Sequence, residues 1–141
     1  MIRIGPQAQS AQEAAQGACV ECASPYLNPA HVLSPPRHWL EALVDGGMTW
    51  EFFRLRYKAL LRTRSRENPE AFYALLEASE GEKALCLTCH CLAGPCHLEV
   101  AQEYLEWLRD RAPYQQWASL RHRLTLFPLP AAHPGLVARA G

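Results

Sequence analysis

The sequence predicts a small three-layer α/β domain with a short, mainly parallel sheet flanked by helices. Three observations carry this prediction. The stretch Lys83-Ala-Leu-Cys-Leu-Thr88 is a continuous apolar run, as in strands that are buried on both faces of a parallel sheet. Shorter apolar runs lie at 2–5 and 18–23. Stretches of helical length and composition separate these runs, which is the arrangement that crossover helices produce between parallel strands.

The other elements follow from local composition. An Ala/Gln/Glu-rich stretch predicts a helix over 7–16 that Gly17 ends. The proline-rich stretch 24–36 predicts a loop. Thr49 is the expected N-cap of the helix that follows it. The remaining helices are predicted over 36–43, 50–64, 69–79, 95–111 and 114–124.

Length and composition fit one domain, because 141 residues with 49% hydrophobic residues can bury a core. We expect this domain to span 1–126 and the Pro/Ala-rich stretch 127–141 to form a tail. No apolar run approaches the about 20 residues that a membrane-spanning helix needs, and the N-terminus lacks the features of a signal peptide. We therefore expect a cytoplasmic protein with no membrane partner, in which the six cysteines are thiols, metal ligands or catalysts.

The charge balance argues against nonspecific binding of nucleic acid. The chain has 14 Lys plus Arg and 14 Asp plus Glu, so no global field attracts a polyanion. A local basic-aromatic face stays open as an alternative, although aromatic residues at helical spacing more often face the core. Its candidates, in the helix predicted over 50–64, are Arg54, Arg56, Arg62, Trp50 and Tyr57. The sequence gives no indication of the oligomeric state.

Residues that can bind metals or act as nucleophiles concentrate in the segment Cys86-Leu-Thr-Cys-His-Cys-Leu-Ala-Gly-Pro-Cys-His97. If the strands at 18–22 and 84–88 are parallel neighbours, the loops 23–36 and 89–95 lie at the same carboxyl edge of the sheet. Ligands of open α/β sheets bind beyond that edge. The sequence therefore predicts a functional site there.

A thiol-dependent enzyme is the leading hypothesis for this site. Pro95 at the first helical position places Cys96 in the first turn, where the unpaired N–H groups and the helix dipole favour an anion. A thiol pKa can fall there from about 8.5 to roughly 3.5–7.5, so Cys96 is the candidate nucleophile. His97 and His90 are the candidate acid/base or orienting groups. The candidate substrate-binding residues on the facing edge are Glu21, Asn28 and His31.

Metal binding without catalysis is the alternative hypothesis, with zinc as the possible cofactor. Thiolate and imidazole groups are the donors that zinc and iron accept in proteins. The candidate ligands are Cys89, Cys91, Cys96 and His97, with Cys22 or His31 as further donors from the facing loop. A third possibility is an interaction domain whose cysteines are core residues.

Two Cys-x-x-Cys pairs look like ligand pairs but fit poorly on strands. Residues three apart on a strand face opposite sides of the sheet, so Cys86 is predicted to be a core residue rather than a partner of Cys89. The same objection applies to Cys19 and Cys22. That pair also does not open a helix, as a thioredoxin-like dithiol would.

Several of these motifs resemble two uncharacterised families. Thr49-Trp-Glu-Phe-Phe-x-x-x-Tyr57, followed by Ala84-Leu-Cys-Leu-x-Cys and Cys96-His97, resembles the domain-of-unknown-function 488 family, in which a strand leads to Cys-His-Arg at a helix start. The chain is also similar to the domain-of-unknown-function 4326 family over Ser24 to Trp107. Within this range, Cys89-His-Cys91 and Cys96-His97 match that family's Cys-x-Cys and Cys-His motifs.

The resemblance covers roughly residues 18–110 and implies a compact three-layer α/β fold. It implies little about function, because neither family has an established reaction, and it favours a functional site without naming a substrate. The ligand that we expect for a thiol-dependent enzyme is a small molecule, a nucleotide-like molecule or a nucleic-acid-linked substrate. Two positions depart from the pattern. Leu98 stands where Arg follows Cys-His, and Cys22 stands where an early Arg is expected. If those arginines bind an anionic substrate in the family, this chain has lost or moved that contact.

Overall fold

The computed structural model describes residues 1–90 and 95–126. In this part of the chain three strands form one parallel sheet in the order β1-β3-β2. The strands are β1 (Ile2–Pro6), β2 (Cys19–Cys22) and β3 (Leu85–Cys89). Every residue of the central strand β3 is buried, which explains its unbroken apolar sequence. The predicted α/β class with a short parallel sheet is therefore confirmed.

The register places the carboxyl ends of β2 and β3 side by side. Cys22 pairs with Thr88, and the Ala23 N–H continues the ladder by donating to the Thr88 carbonyl at 2.9 Å. The chain leaving β2 and the chain leaving β3 therefore start at the same edge of the sheet. The carboxyl edge that the sequence predicts for these two strands is therefore shared, as expected.

The described residues form six α-helices. Thr49 is an N-cap as predicted, because its side chain accepts the Phe52 N–H. The helix predicted over 7–16 is instead a 3₁₀ turn, Gln7–Gln9, followed by a shorter α-helix, since 3₁₀ turns commonly occur at helix N-termini. The α-helices are α1 (Ser10–Ala15), α2 (Arg37–Asp45), α3 (Trp50–Glu67), α4 (Pro69–Ala78), α5 (His97–Arg109) and α6 (Ala112–Leu126).

Helices α3, α4 and α5 supply most of the core. The buried residues of α3 are Phe53, Tyr57 and Leu61, which recur every four residues and so lie on one face. Helix α5 buries seven of its thirteen residues, including its first residue, His97. Each fully buried apolar side chain contributes about 1.5–3 kcal/mol relative to exposure. The start of α5 is therefore held firmly against the rest of the fold.

The chain forms two compact units. The first, Met1–Arg109, contains the sheet and α1 to α5. The second begins at Asp110 and contains α6, in which the Tyr114 and Trp117 rings stack at 5.8 Å. The predicted tail at 127–141 lies outside the described residues, and the domain boundary at 126 stays a prediction. Among the helices described, none is both long and apolar enough to cross a membrane.

Candidate metal centre

The junction between β3 and α5 brings three of the predicted ligand residues together. Cys89 is the last residue of β3 and is buried, Cys96 is half-buried, and His97 is the first residue of α5 and only 1% exposed. The two Sγ atoms and a ring nitrogen of His97 all lie within 4.8 Å of one another. A short strand-to-helix connection thus places two sulfur donors and one nitrogen donor around a common point.

The two sulfurs are close but not bonded. Cys89 Sγ and Cys96 Sγ lie 3.0 Å apart. A disulfide requires about 2.03–2.05 Å. A tetrahedral zinc ion with Zn–S bonds of about 2.3 Å holds its sulfurs about 3.8 Å apart. Zinc binding therefore requires the distance between the two sulfurs to increase by less than about 1 Å.

His97 is held in one orientation by the loop that follows β2. Its Nε2 lies 2.8 Å from the Ala23 carbonyl oxygen. A carbonyl only accepts, so Nε2 carries the hydrogen and the lone pair of the neutral ring is on Nδ1. Burial lowers the pKa of His97, an effect that the Ala23 hydrogen bond and the nearby Cys89 oppose. The ring is therefore neutral at pH 7, the form that binds metals.

The start of α5 corrects the sequence prediction. The helix was expected to open at Pro95 with Cys96 in its first turn, but it begins at His97. The reason lies in the capping pattern: the Glu99 N–H donates to the Cys96 carbonyl at 3.0 Å, and the Glu99 carboxylate accepts the Cys96 N–H at 3.2 Å. The carboxylate places a negative charge at this helix end. It therefore weakens the electrostatic stabilisation that a Cys96 thiolate would gain from the dipole.

The three predicted substrate-binding residues form a hydrogen-bonded network at the β2 edge. His31 Nδ1 accepts the Leu33 N–H at 3.1 Å, and His31 Nε2 lies 3.3 Å from the Glu21 carboxylate. The Asn28 amide donates to the Cys22 carbonyl at 3.0 Å. Since both ring nitrogens of His31 are engaged in these contacts, His31 is poorly suited to bind a metal. The network holds the loop against β2.

Helix α3 fixes the other side of the same loop. The buried Tyr57 hydroxyl donates to the Leu33 carbonyl, and the Arg64 guanidinium donates to the carbonyls of Val32 and Ser34 at 2.9 and 2.6 Å. Burial lowers the pKa of Arg64. Tyr57 also packs edge-on against the His97 ring, with centroids 5.9 Å apart. One aromatic residue thus contacts both the loop and the candidate ligand.

A small cavity opens beside this loop. Its volume is about 220 Å³, and its lining includes His31, Arg64 and Asn68 together with the turn at 29–32. Neither Cys89 nor Cys96 lines it. Binding sites for drug-sized ligands measure about 300–1,000 Å³, so the cavity is small for a nucleotide.

The remaining predicted site residues are not part of the group formed by Cys89, Cys96 and His97, which we call the cluster. His90 is exposed, and no hydrogen bond or ion pair among the described residues joins it to Cys96. Cys91 lies outside the described residues, so its predicted role as a ligand stays a prediction. Cys86 is buried in β3, as expected for a core residue. Tyr57, a candidate for the basic-aromatic face, is instead fully buried, because its side of α3 faces the core.

Sequence reasoning missed two groups that shape the site. Glu99 stands three residues after Cys96, which is the spacing of a capping box, so this contact was detectable. The Ala23 carbonyl was not detectable, because a backbone group 74 residues from His97 leaves no mark in the sequence.

Comparisons with known proteins add no identification. No protein-family model, no curated protein and no solved structure matches the chain. The resemblance to the two uncharacterised families therefore stays a prediction that rests on the quoted motifs.

Proposed function

We propose that this chain is a metal-binding structural or regulatory module in which Cys89, Cys96 and His97 bind one zinc ion. The observation that carries the proposal is the convergence of two thiol sulfurs and one imidazole nitrogen within 4.8 Å. Two sulfurs with an imidazole nitrogen form a donor set typical of tetrahedral zinc, whereas carboxylate and carbonyl oxygens suit magnesium or calcium. Zinc is therefore favoured over the hard cations.

The surroundings of His97 support the same proposal. Histidines that bind metals almost always donate their other ring N–H to a carboxylate, a backbone carbonyl or water, which fixes the tautomer and the ring orientation. His97 makes this bond to the Ala23 carbonyl. Its lowered pKa keeps the ring neutral, so no proton has to leave the imidazole when it binds a metal near pH 7.

The burial of the cluster favours a structural role over a catalytic one. Cys89 and His97 are buried, and the bound ion would connect the end of β3 to the start of α5. Through the Ala23 carbonyl it would also stabilise the loop that follows β2. Because a preformed site does not persist in the unfolded chain, the free energy of metal binding adds to the stability of the fold.

Metal analysis of the purified full-length chain tests the proposal. We expect about one zinc per chain in the wild type and in the Cys19→Ser control, which replaces an exposed cysteine outside the cluster. Cys96 is half-exposed, so we expect the Cys96→Ser variant to remain folded, as measured by circular dichroism. We expect that variant to lose most of its zinc. A folded wild type that neither contains zinc nor takes it up from solution would contradict the proposal.

A thiol-dependent enzyme acting on a nucleotide-like or nucleic-acid-linked substrate is the second candidate. One observation favours it: Cys96 is partly exposed immediately before α5. The Glu99 carboxylate in the same turn and the small size of the nearby cavity disfavour it. Alkylation at pH 7 separates the two functions. A catalytic Cys96 reacts rapidly whether or not zinc is present, whereas a zinc ligand reacts only after the metal is removed.

A further inference from the structure

Helix α3 is strongly basic in a chain whose net charge is zero. It carries six basic residues and two acidic ones. Half of the basic residues bind carboxylate or carbonyl oxygens within the fold. Arg54 and Lys58 both bind the Glu103 carboxylate, at 2.6 and 2.7 Å, and Arg64 donates to carbonyls of the loop after β2.

The other three basic residues of α3 are Arg56, Arg62 and Arg66, which we call the arginine stripe. All three are exposed, and no described acidic group forms an ion pair with any of them. The Arg56 guanidinium lies over the Phe52 ring at 5.7 Å and over the Trp39 ring at 4.3 Å. Arg62 and Arg66 lie opposite the face of α3 that packs in the core, whereas Arg56 lies on the flank of the helix, beside Trp39.

Exposed apolar residues extend the row formed by Arg62 and Arg66 toward the start of α3. Phe52 is 52% exposed and Leu55 is 69% exposed. Together with Ala59 they are spaced by three and four residues, and the same spacing leads on to Arg62 and then Arg66. The helix therefore presents one row whose first half is apolar and whose second half is cationic.

We propose that the arginine stripe, with Phe52, is a binding surface for single-stranded nucleic acid. Guanidinium groups match the geometry of phosphate oxygens better than ammonium groups do, and all three residues of the stripe are arginines. Arg62 and Arg66 are one helical turn apart, about 6 Å along the axis, so they can contact successive phosphates. An exposed aromatic ring next to such charges offers a surface on which a base can stack.

The same row disfavours two other partners. A helical protein partner would have to bury Arg62 and Arg66 in the second half of the row, which carries a desolvation cost. A membrane surface requires a wide apolar face on the helix, and here the exposed large apolar residues of α3 are Phe52 and Leu55. A flexible polyphosphate strand avoids both costs, because its phosphates stay at the solvent boundary.

Fluorescence anisotropy with a labelled 20-nucleotide oligouridylate tests the proposal on the full chain as purified. We expect binding at low salt, with the logarithm of the association constant falling with the logarithm of salt concentration at a slope of about −2, because three phosphates are neutralised. The variant R56Q/R62Q/R66Q should bind at least about tenfold more weakly. The variant Phe52→Ala should bind at least about fivefold more weakly and keep the wild-type salt slope.

The matched control is R54Q/K58Q, which removes two positive charges from the same helix that are already paired with Glu103. We expect it to change affinity less than about threefold. Equal losses of affinity for oligouridylate in the control and in the triple variant would overturn the proposal. Absence of oligouridylate binding by the wild type at low salt would also overturn it. Equal affinity for oligoglutamate of the same charge, or for phosphatidylglycerol vesicles, would overturn it in favour of an acidic peptide or a membrane surface.

Discussion

His31 and His97 lie in segments that leave neighbouring strands at the same edge of the sheet, and they differ in what surrounds them. His31 is bonded through both ring nitrogens, to the Leu33 N–H and to the Glu21 carboxylate. His97 donates through Nε2 to the Ala23 carbonyl and has two thiol sulfurs nearby. The first histidine therefore stabilises a loop. The second lies among other metal donors.

The cysteines show the same contrast. Cys19 and Cys22 have the spacing of a ligand pair but lie on one strand, where residues three apart face opposite sides. Partial desolvation, and then the Glu21 carboxylate, raise the pKa of the Cys19 thiol, which disfavours the thiolate. Cys89 is the last residue of β3 and Cys96 directly precedes α5, and their sulfurs lie 3.0 Å apart. The end of one element and the start of the next can thus build a site that a single strand cannot.

The largest predicted effect is a difference between the His97 and His31 variants in how much zinc raises the free energy of unfolding. We expect zinc in excess to raise the free energy of unfolding of the wild type by about 4 kcal/mol relative to the chelated protein, as for a ligand at 1,000 times its Kd. His97→Asn should lower that increment to under about 1 kcal/mol, because a ligand is lost. His31→Asn should retain it, although the loop loses its Glu21 contact. Urea unfolding with zinc or with chelator measures the increment in each variant, and equal increments in both variants would contradict the assignment.

A variant of Cys91 tests whether the site has a fourth protein ligand. The sequence predicts it as a ligand beside Cys89, Cys96 and His97, and structural zinc sites have four protein ligands. We therefore expect Cys91→Ser to weaken zinc binding by at least about 100-fold, beyond the 10–100-fold effect of an outer-shell change. Competition with a chromophoric chelator measures the affinity. If the variant binds zinc as tightly as the wild type, the site has three protein ligands and an open position.

Tyr57 connects the two regions, so its hydroxyl should influence stability at an intermediate level. Tyr57→Phe removes the donor to the Leu33 carbonyl in a buried setting while the ring remains against His97. We expect a loss of about 1–2 kcal/mol in the free energy of unfolding, because a buried acceptor loses its partner. The metal increment should be unchanged within error. A large loss of zinc affinity would show that the loop, rather than the ligands alone, determines binding.

The smallest predicted effect lies away from both regions, at Glu103. Hydrogen bonds from Lys58 and then Arg54 lower the pKa of this half-exposed carboxyl. Its stabilising contribution is therefore present above the ordinary pKa of Glu and is lost as the pH falls through the lowered value. Because solvent screens these pairs, Glu103→Gln should cost about 0.5 kcal/mol at pH 7. Thermal unfolding at pH 7 and pH 3 checks that the difference becomes smaller in acid.

The fold could be largely predicted from the sequence. The apolar run at 83–88 and the proline-rich loop at 24–36 are local signals. The parallel pairing of the strands at 18–22 and 84–88 was only the condition of the carboxyl-edge argument, and the register of β2 and β3 meets it. The site was only half predictable. The candidate ligands could be named, but their convergence depends on where α5 begins and on the contact between His97 and Ala23, 74 residues apart. Such contacts follow from packing rather than from spacing.

X-ray absorption spectroscopy of the zinc-loaded chain tests the central claim most directly, because it reports which atoms surround the metal. The proposed site predicts at least two sulfur neighbours at about 2.3 Å and a nitrogen neighbour at about 2.0–2.1 Å, with one sulfur lost in Cys96→Ser. A shell of oxygen and nitrogen atoms without sulfur would contradict the assignment of Cys89, Cys96 and His97 as the metal ligands.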